Sequence, residues 1–118
     1  MKNCKKGDIY YVDFDPVIGS EQGGTRPALI IQNDKGNEHS PCTIVAIITS
    51  RSNKVKIPTH IALLATALNG LSKDSMIELE QIRTIDKKRL KWRCGRIGKA
   101  TQMLVDKALK ISLQLEDE

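Results

Sequence analysis

The stretch CTIVAIIT, Cys42 to Thr49, decides the fold. Its centre, Ile44-Val45-Ala46-Ile47-Ile48, is aliphatic and mostly β-branched. Such a run packs well on a pleated surface and is far too short to cross a bilayer. It predicts a buried strand. Upstream, Pro27 to Asn33 carries a second apolar run, Ala28-Leu29-Ile30-Ile31, and predicts another strand buried on both faces. Between the two, Asn33 to Pro41 is rich in Asn, Asp, Gly and Ser and predicts a turn region. Further upstream, Lys6 to Phe14 holds Ile9-Tyr10-Tyr11-Val12, a strand signal. Asp15 to Thr25, with Pro16, Gly19, Gly23 and Gly24, reads as a long polar loop of the kind that often carries function.

Downstream, Ser50 to Lys56 is a polar, basic loop, and Ile57 to Leu63 predicts a short strand bent or placed at an edge by Pro58. Thr66 to Lys73 holds Gly70 and reads as a turn. Ser75 to Thr84 alternates around Ile77, Leu79 and Gln81, a strand pattern. Asp86 to Arg89 is a tight connection, and Leu90 to Ile97 predicts the last strand. Lys99 to Leu115 has helical periodicity, with Ala100, Leu104, Ala108, Ile111 and Leu115 expected to face the core and Val105 and Leu109 widening the stripe. The acidic end, Glu116-Asp117-Glu118, opposes the helix dipole and predicts fraying. Strands first and one closing helix predict an α+β fold: a small, strongly bent antiparallel barrel with a C-terminal helix, closure removing exposed edges.

At 118 residues the chain predicts one domain, 1–118. Leu, Ile, Val and Phe make up 31 residues, enough for a packed core without disulfide or metal. The basic N-terminus has no apolar signal region behind it, which predicts a cytoplasmic protein without membrane insertion. Cys4, Cys42 and Cys94 form an odd, widely spaced set and predict free thiols. His39 and His60 lack a carboxylate or cysteine at ligand spacing, so no metal site is expected.

The net charge is +5, and Lys87, Lys88, Arg89, Lys91, Arg93, Arg96 and Lys99 concentrate it in thirteen residues without an acid. A polyanion partner suits that segment, and so does a plain solvated face. The four aromatic residues are too few for a base-stacking sheet. One constellation has chemical potential. If the second and third strands are antiparallel neighbours, Arg26 at the start of one lies near Thr49 at the end of the other. Pro27 stiffens the chain beside Arg26, and Gly23-Gly24 lets the loop fold over a ligand.

Gly7-Asp8-Ile9-Tyr10, Pro16 with Gly19-Ser20-Glu21-Gln22-Gly23-Gly24-Thr25-Arg26-Pro27, Ile30-Ile31-Gln32-Asn33-Asp34 and Leu79 to Lys87 resemble the MazF/PemK family of toxin endoribonucleases, in the variant of Gram-positive bacteria. The resemblance runs from Lys6 to about Leu115. It implies an SH3-like or CcdB-like barrel, a homodimer, and an acidic MazE-like antitoxin whose disordered tail covers a basic groove. It implies cofactor-free and metal-independent cleavage of single-stranded mRNA at a short, UACAU-like motif. The 2′-hydroxyl attacks the adjacent phosphorus, leaving a 2′,3′-cyclic phosphate and a 5′-hydroxyl. Arg26 and Thr49 match the family's catalytic residues. Glu21 is a candidate base if the loop buries it. Ser20, Glu21 and Gln22 are the loop candidates for RNA contact, with His60 a further one. Trp92 fits a dimer or core contact as well as a base stack. Two other readings compete: a barrel that binds RNA or protein without cutting, and a CcdB-like inhibitor. The acidic C-terminus, which lacks an aromatic residue, argues against the latter.

Overall fold

A computed structural model of the chain describes residues 3–50 and 57–116. The predicted Ser50–Lys56 loop lies outside the described residues except for Ser50. Strands β1 (Asp8–Asp13), β2 (Thr25–Ile30), β3 (Cys42–Thr49), β4 (His60–Leu63), β5 (Ser75–Asp86) and β6 (Leu90–Arg96) form one antiparallel sheet in the order β4-β5-β3-β2-β1-β6. The CTIVAIIT run is β3 itself, an interior strand between β2 and β5. Its continuous apolar character follows from burial on both faces.

Side-chain alternation divides the interior into two clusters. Ile9, Leu29, Ala46, Ile48, Ile77 and Leu79 face the C-terminal helix α2 (Lys99–Ser112), which contributes Val105 and Ala108. Tyr10, Val12, Phe14, Ala28, Ile30, Val45, Ile47, Ile85 and Leu90 form the second cluster. Among the described residues no helical residue belongs to that second cluster. Each fully buried Ile or Leu contributes roughly 1.5–3 kcal/mol.

The sheet bends but does not close. The edge strands β4 and β6 do not pair with each other, which corrects the expectation of a closed barrel. β4 has only four residues after the Pro58 bend, too few to complete a seam. The β4–β5 connection covers β6 instead: Arg96 N donates to Leu68 O at 3.1 Å. The approach is close enough to require Gly70, which has φ +69° and where a Cβ would lie 1.9 Å from the Cys94 carbonyl oxygen.

Two local expectations are corrected. The predicted turn at Asn33–Pro41 contains a short helix, α1 (Asp34–His39). Asn33 caps it, its Oδ1 accepting from Gly36 N at 2.8 Å. Helix α2 ends at Ser112, not Leu115, and is rotated from the expected stripe. Val105 and Ala108 are buried, whereas Leu104 is 55% exposed and Leu115 74%. Gln114 takes φ 57° and Leu115 N bonds back to Lys110 O at 2.7 Å, a left-handed stop one turn earlier than the periodicity suggests. In the acidic end expected to fray, Glu116 accepts from Lys107 Nζ at 2.9 Å, and 117 and 118 lie outside the described residues. All three cysteines are free thiols. Among the described residues no helix is long and apolar enough to cross a membrane.

Candidate active site at the strand ends

The β2–β3 register pairs Ala28 with Ile47 and Ile30 with Val45. Arg26 lies two residues before Ala28 and Thr49 two residues after Ile47, at the same end of the β2–β3 pair. The two share the sheet face of Ala28 and Ile47, because alternate residues point the same way. Both line one open cleft of about 310 Å³, together with Tyr11, Pro27, Ile48, Ser50, Leu71 and Ser72, among others. The predicted Arg26–Thr49 neighbourhood is therefore present. Thr49 is 9% exposed, at the end of the most apolar strand.

The loop before Arg26 is built from its own carboxylates and glycines. Phe14 N donates to Gly24 O at 3.0 Å, and Gly24 N to Asp15 Oδ1 at 2.9 Å. A Cβ on Gly23 would lie 2.5 Å from that Asp15 oxygen, so the residue must stay small. Two arginines distant in sequence, Arg83 on β5 and Arg89 in the turn between β5 and β6, clamp the base of the loop. Arg83 Nη1 donates to Phe14 O at 3.2 Å and its guanidinium lies 5.4 Å from the Phe14 ring centroid. Arg89 Nη1 donates to Asp13 O at 3.0 Å and to Asp15 O.

Arg26 is half-buried and held from its own loop. Its Nε donates to Gly23 O at 3.1 Å, and its Nη1 to Gln22 Oε1. Gln22 Nε2 in turn donates to Glu78 Oε1 at 2.7 Å. Glu78 is 3% exposed, and its Oε2 lies 3.7 Å from His60 Nε2. His60 Nε2 donates to Glu80 Oε2 at 2.8 Å, and Thr59 Oγ1 to Glu80 Oε1 at 2.9 Å. Burial pushes the Glu80 carboxyl up, but hydrogen bonds from His60, its own backbone amide and Thr59 outweigh it and hold the group below its ordinary value.

The sequence-predicted residues thus divide. Gln22 joins Arg26 directly, and His60 joins it through Glu78. Ser20 is exposed on the loop. Glu21 is also exposed, its Oε1 accepting from Ile18 N at 2.7 Å, so the loop does not give it the burial that base chemistry would call on. Glu78 and Glu80 were not expected at all. They sit at polar positions of an alternating strand, and only the β4–β5 pairing of His60 with Glu78 exposes their role. That pairing also corrects the view that His60 has no carboxylate near it. Ligand atoms of His60, Glu78 and Glu80 lie within 4.8 Å of one another, a spacing a divalent cation could use. Gln22 and Thr59 donate to Glu78 and Glu80, and His60 Nε2 faces both carboxylates, while His60 Nδ1 is buried without a hydrogen-bond partner.

A family model described as the PemK-like, MazF-like toxin of type II toxin–antitoxin systems matches residues 5–113. This chain belongs to that family. The endoribonuclease EndoA of Bacillus subtilis (strain 168) is 52% identical over 113 residues, covering 96% of this chain and 97% of that protein. MazF from Deinococcus radiodurans shares the fold with a TM-score of 0.81 at 22% identity, over 97% of this chain and 99% of that one. A mycobacterial endoribonuclease solved in complex with its cognate antitoxin matches with a TM-score of 0.77 at 24% identity, over 98% and 99% of the two chains.

In this MazF-like toxin the basic segment is partly spent on folding. Lys87 is 3% exposed and its Nζ donates to Asn37 O. Arg89 clamps the loop, and Arg93 pairs with Asp8 at 3.1 Å. Trp92 stacks on Tyr11, with ring centroids 4.7 Å apart and planes 18° off parallel, and remains 54% exposed.

Proposed function

We propose that this toxin is a metal-independent endoribonuclease that cuts single-stranded mRNA at a short motif. The observation that supports this most is the placement of Arg26 and Thr49 on one sheet face, at the matched ends of β2 and β3, lining one cleft. In-line transfer needs the scissile phosphate held and its extra charge neutralised as the phosphorane forms. Arg26, with Nε and Nη1 anchored on its own loop, presents the rest of its planar fork to phosphate oxygens. The Thr49 hydroxyl donates to the same oxygens. The 2′-hydroxyl of the preceding nucleotide then attacks phosphorus and the P–O5′ bond breaks. The products are a 2′,3′-cyclic phosphate and a 5′-hydroxyl end, the 2′ proton passing to a base and the leaving oxygen gaining one.

Ser20, Gln22 and exposed Glu21 serve as RNA contacts from the loop, with His60 behind them; Glu21, the sequence's candidate base, lacks the burial for that role and acts as a contact. A UACAU-like target follows from the same branch of the family. The toxin acts as a cytoplasmic homodimer, silenced by an acidic MazE-like antitoxin whose tail occupies the basic groove, so antitoxin binding weakens with salt.

The test is a cleavage assay on unstructured RNA in EDTA, with mapped ends, beside Arg26→Ala. Discrete cuts ending in cyclic phosphate, absent in the variant, support the reading. RNA binding without cuts from either protein would overturn it in favour of a non-catalytic barrel.

A further inference from the structure

The chain of hydrogen bonds behind Arg26 has a direction, and one residue sets it. An amide can present either its oxygen or its nitrogen to a neighbour. Gln22 faces its oxygen to Arg26 and its nitrogen to Glu78. An ionised carboxylate only accepts, so Glu78 settles which end of the amide points which way. With Oε1 committed to Arg26, Gln22 can oppose the rotation of a long, otherwise mobile side chain. Glu78 itself is fixed. It is 3% exposed, stands on β5 between His60 and Ile47, and has His60 Nε2 at 3.7 Å from its second oxygen.

From this geometry we infer that Glu78 is a positioning residue for Arg26, acting through the amide of Gln22. It touches no reacting atom in this arrangement. It orients the group that does, and the inference rests on the catalytic reading of Arg26. A buried carboxylate two hydrogen bonds from a guanidinium also lends it negative charge without a direct ion pair. The outer N–H groups of Arg26 are left for phosphate, where a direct carboxylate partner would compete for them. His60 and Glu80 form the outer support, since Glu80 holds the imidazole that faces Glu78.

The experiment pairs kinetics with the Nε–Hε resonance of Arg26 in ¹⁵N-labelled protein. In Glu78→Gln the isosteric amide can face Gln22 either way, so the orientation is lost while volume is kept. The expected result is a kcat about tenfold lower with KM within about twofold. The Arg26 Nε–Hε signal should broaden or vanish by exchange with water. Gln22→Ala should disturb the Arg26 signal in the same way, with a rise in KM from its lost RNA contact, and kcat of the double variant should be no lower than that of Gln22→Ala alone, because both break one chain. Glu78→Met, which fills the site without polar atoms, gives the same reading should the Gln variant fold poorly. An unchanged Arg26 signal and kcat in both Glu78 variants would overturn the inference, as would losses that multiply in the double variant. If the wild-type protein cuts no RNA, the catalytic reading fails. The Arg26 resonance then still reports whether Glu78 orients it.

Discussion

Two arginine-bearing regions of this toxin differ in what their charges do. The Ser20–Arg26 loop carries one arginine. Among the described residues its partners are a carbonyl and a neutral amide, with no carboxylate in direct contact. The Lys87–Lys99 segment carries seven cations, yet Lys87, Arg89 and Arg93 are committed to Asn37 O, to the Asp13 and Asp15 carbonyls, and to Asp8. Charge density along the chain therefore overstates the charge available to a polyanion. Arg93, paired with the Asp8 carboxylate, has its field largely cancelled, whereas Lys87 is withheld by burial and Arg89 by the loop carbonyls it holds.

The largest test of this contrast is Arg26→Ala against Arg89→Ala. Removing Arg26 should cut the cleavage rate by about 10²–10³-fold, the usual cost of losing a transition-state donor, with little change in the urea midpoint. Removing Arg89 should do the reverse. Charge-assisted bonds to two loop carbonyls are lost at a half-buried site, so unfolding free energy should fall by about 1–2 kcal/mol, with a smaller loss of rate. Equal effects on rate would erase the distinction.

A finer test compares neighbours in the basic segment. Lys88 is exposed, whereas Lys87 is buried. Lys88→Ala should flatten the dependence of log RNA affinity on log salt by about 0.7, the contribution of one phosphate contact on a single strand. Lys87→Met should leave that slope unchanged, because a buried ammonium releases no counterion. A slope change at Lys87 would show that the basic segment acts as a whole.

The smallest effect concerns acid stability behind the site. The folded pKa of Glu80 is depressed, so its stabilisation is present above the ordinary glutamate pKa and is lost as pH falls through the lower folded value. Melting temperatures from pH 7 down to pH 3 should therefore fall less steeply for Glu80→Gln than for the wild type. Parallel curves would mean that the His60–Glu80 contact is not linked to folding.

Much of the site was legible in the sequence. Arg26 and Thr49 follow from a motif, and their meeting follows from two adjacent strands whose ends coincide. The support behind them was not legible. Glu78 and Glu80 occupy alternate positions of a strand, the pattern of a solvated face. Their partner His60 lies 18 and 20 residues away across a connection of unknown geometry. Glu21, chemically the more inviting carboxylate, stays exposed because its side chain satisfies the amide of Ile18 in its own loop.

The sequence by itself determined the strands, the closing helix and the pair, Arg26 and Thr49, proposed to meet phosphate. Local backbone preference and side-chain periodicity are properties of neighbours along the chain. Only the tertiary structure decided that the sheet stays open, that α2 buries Val105 and not Leu104, and that the carboxylate behind Arg26 is Glu78. Each of those outcomes depends on strand register and on which buried polar atom finds a partner. Both are settled by packing between segments far apart in sequence.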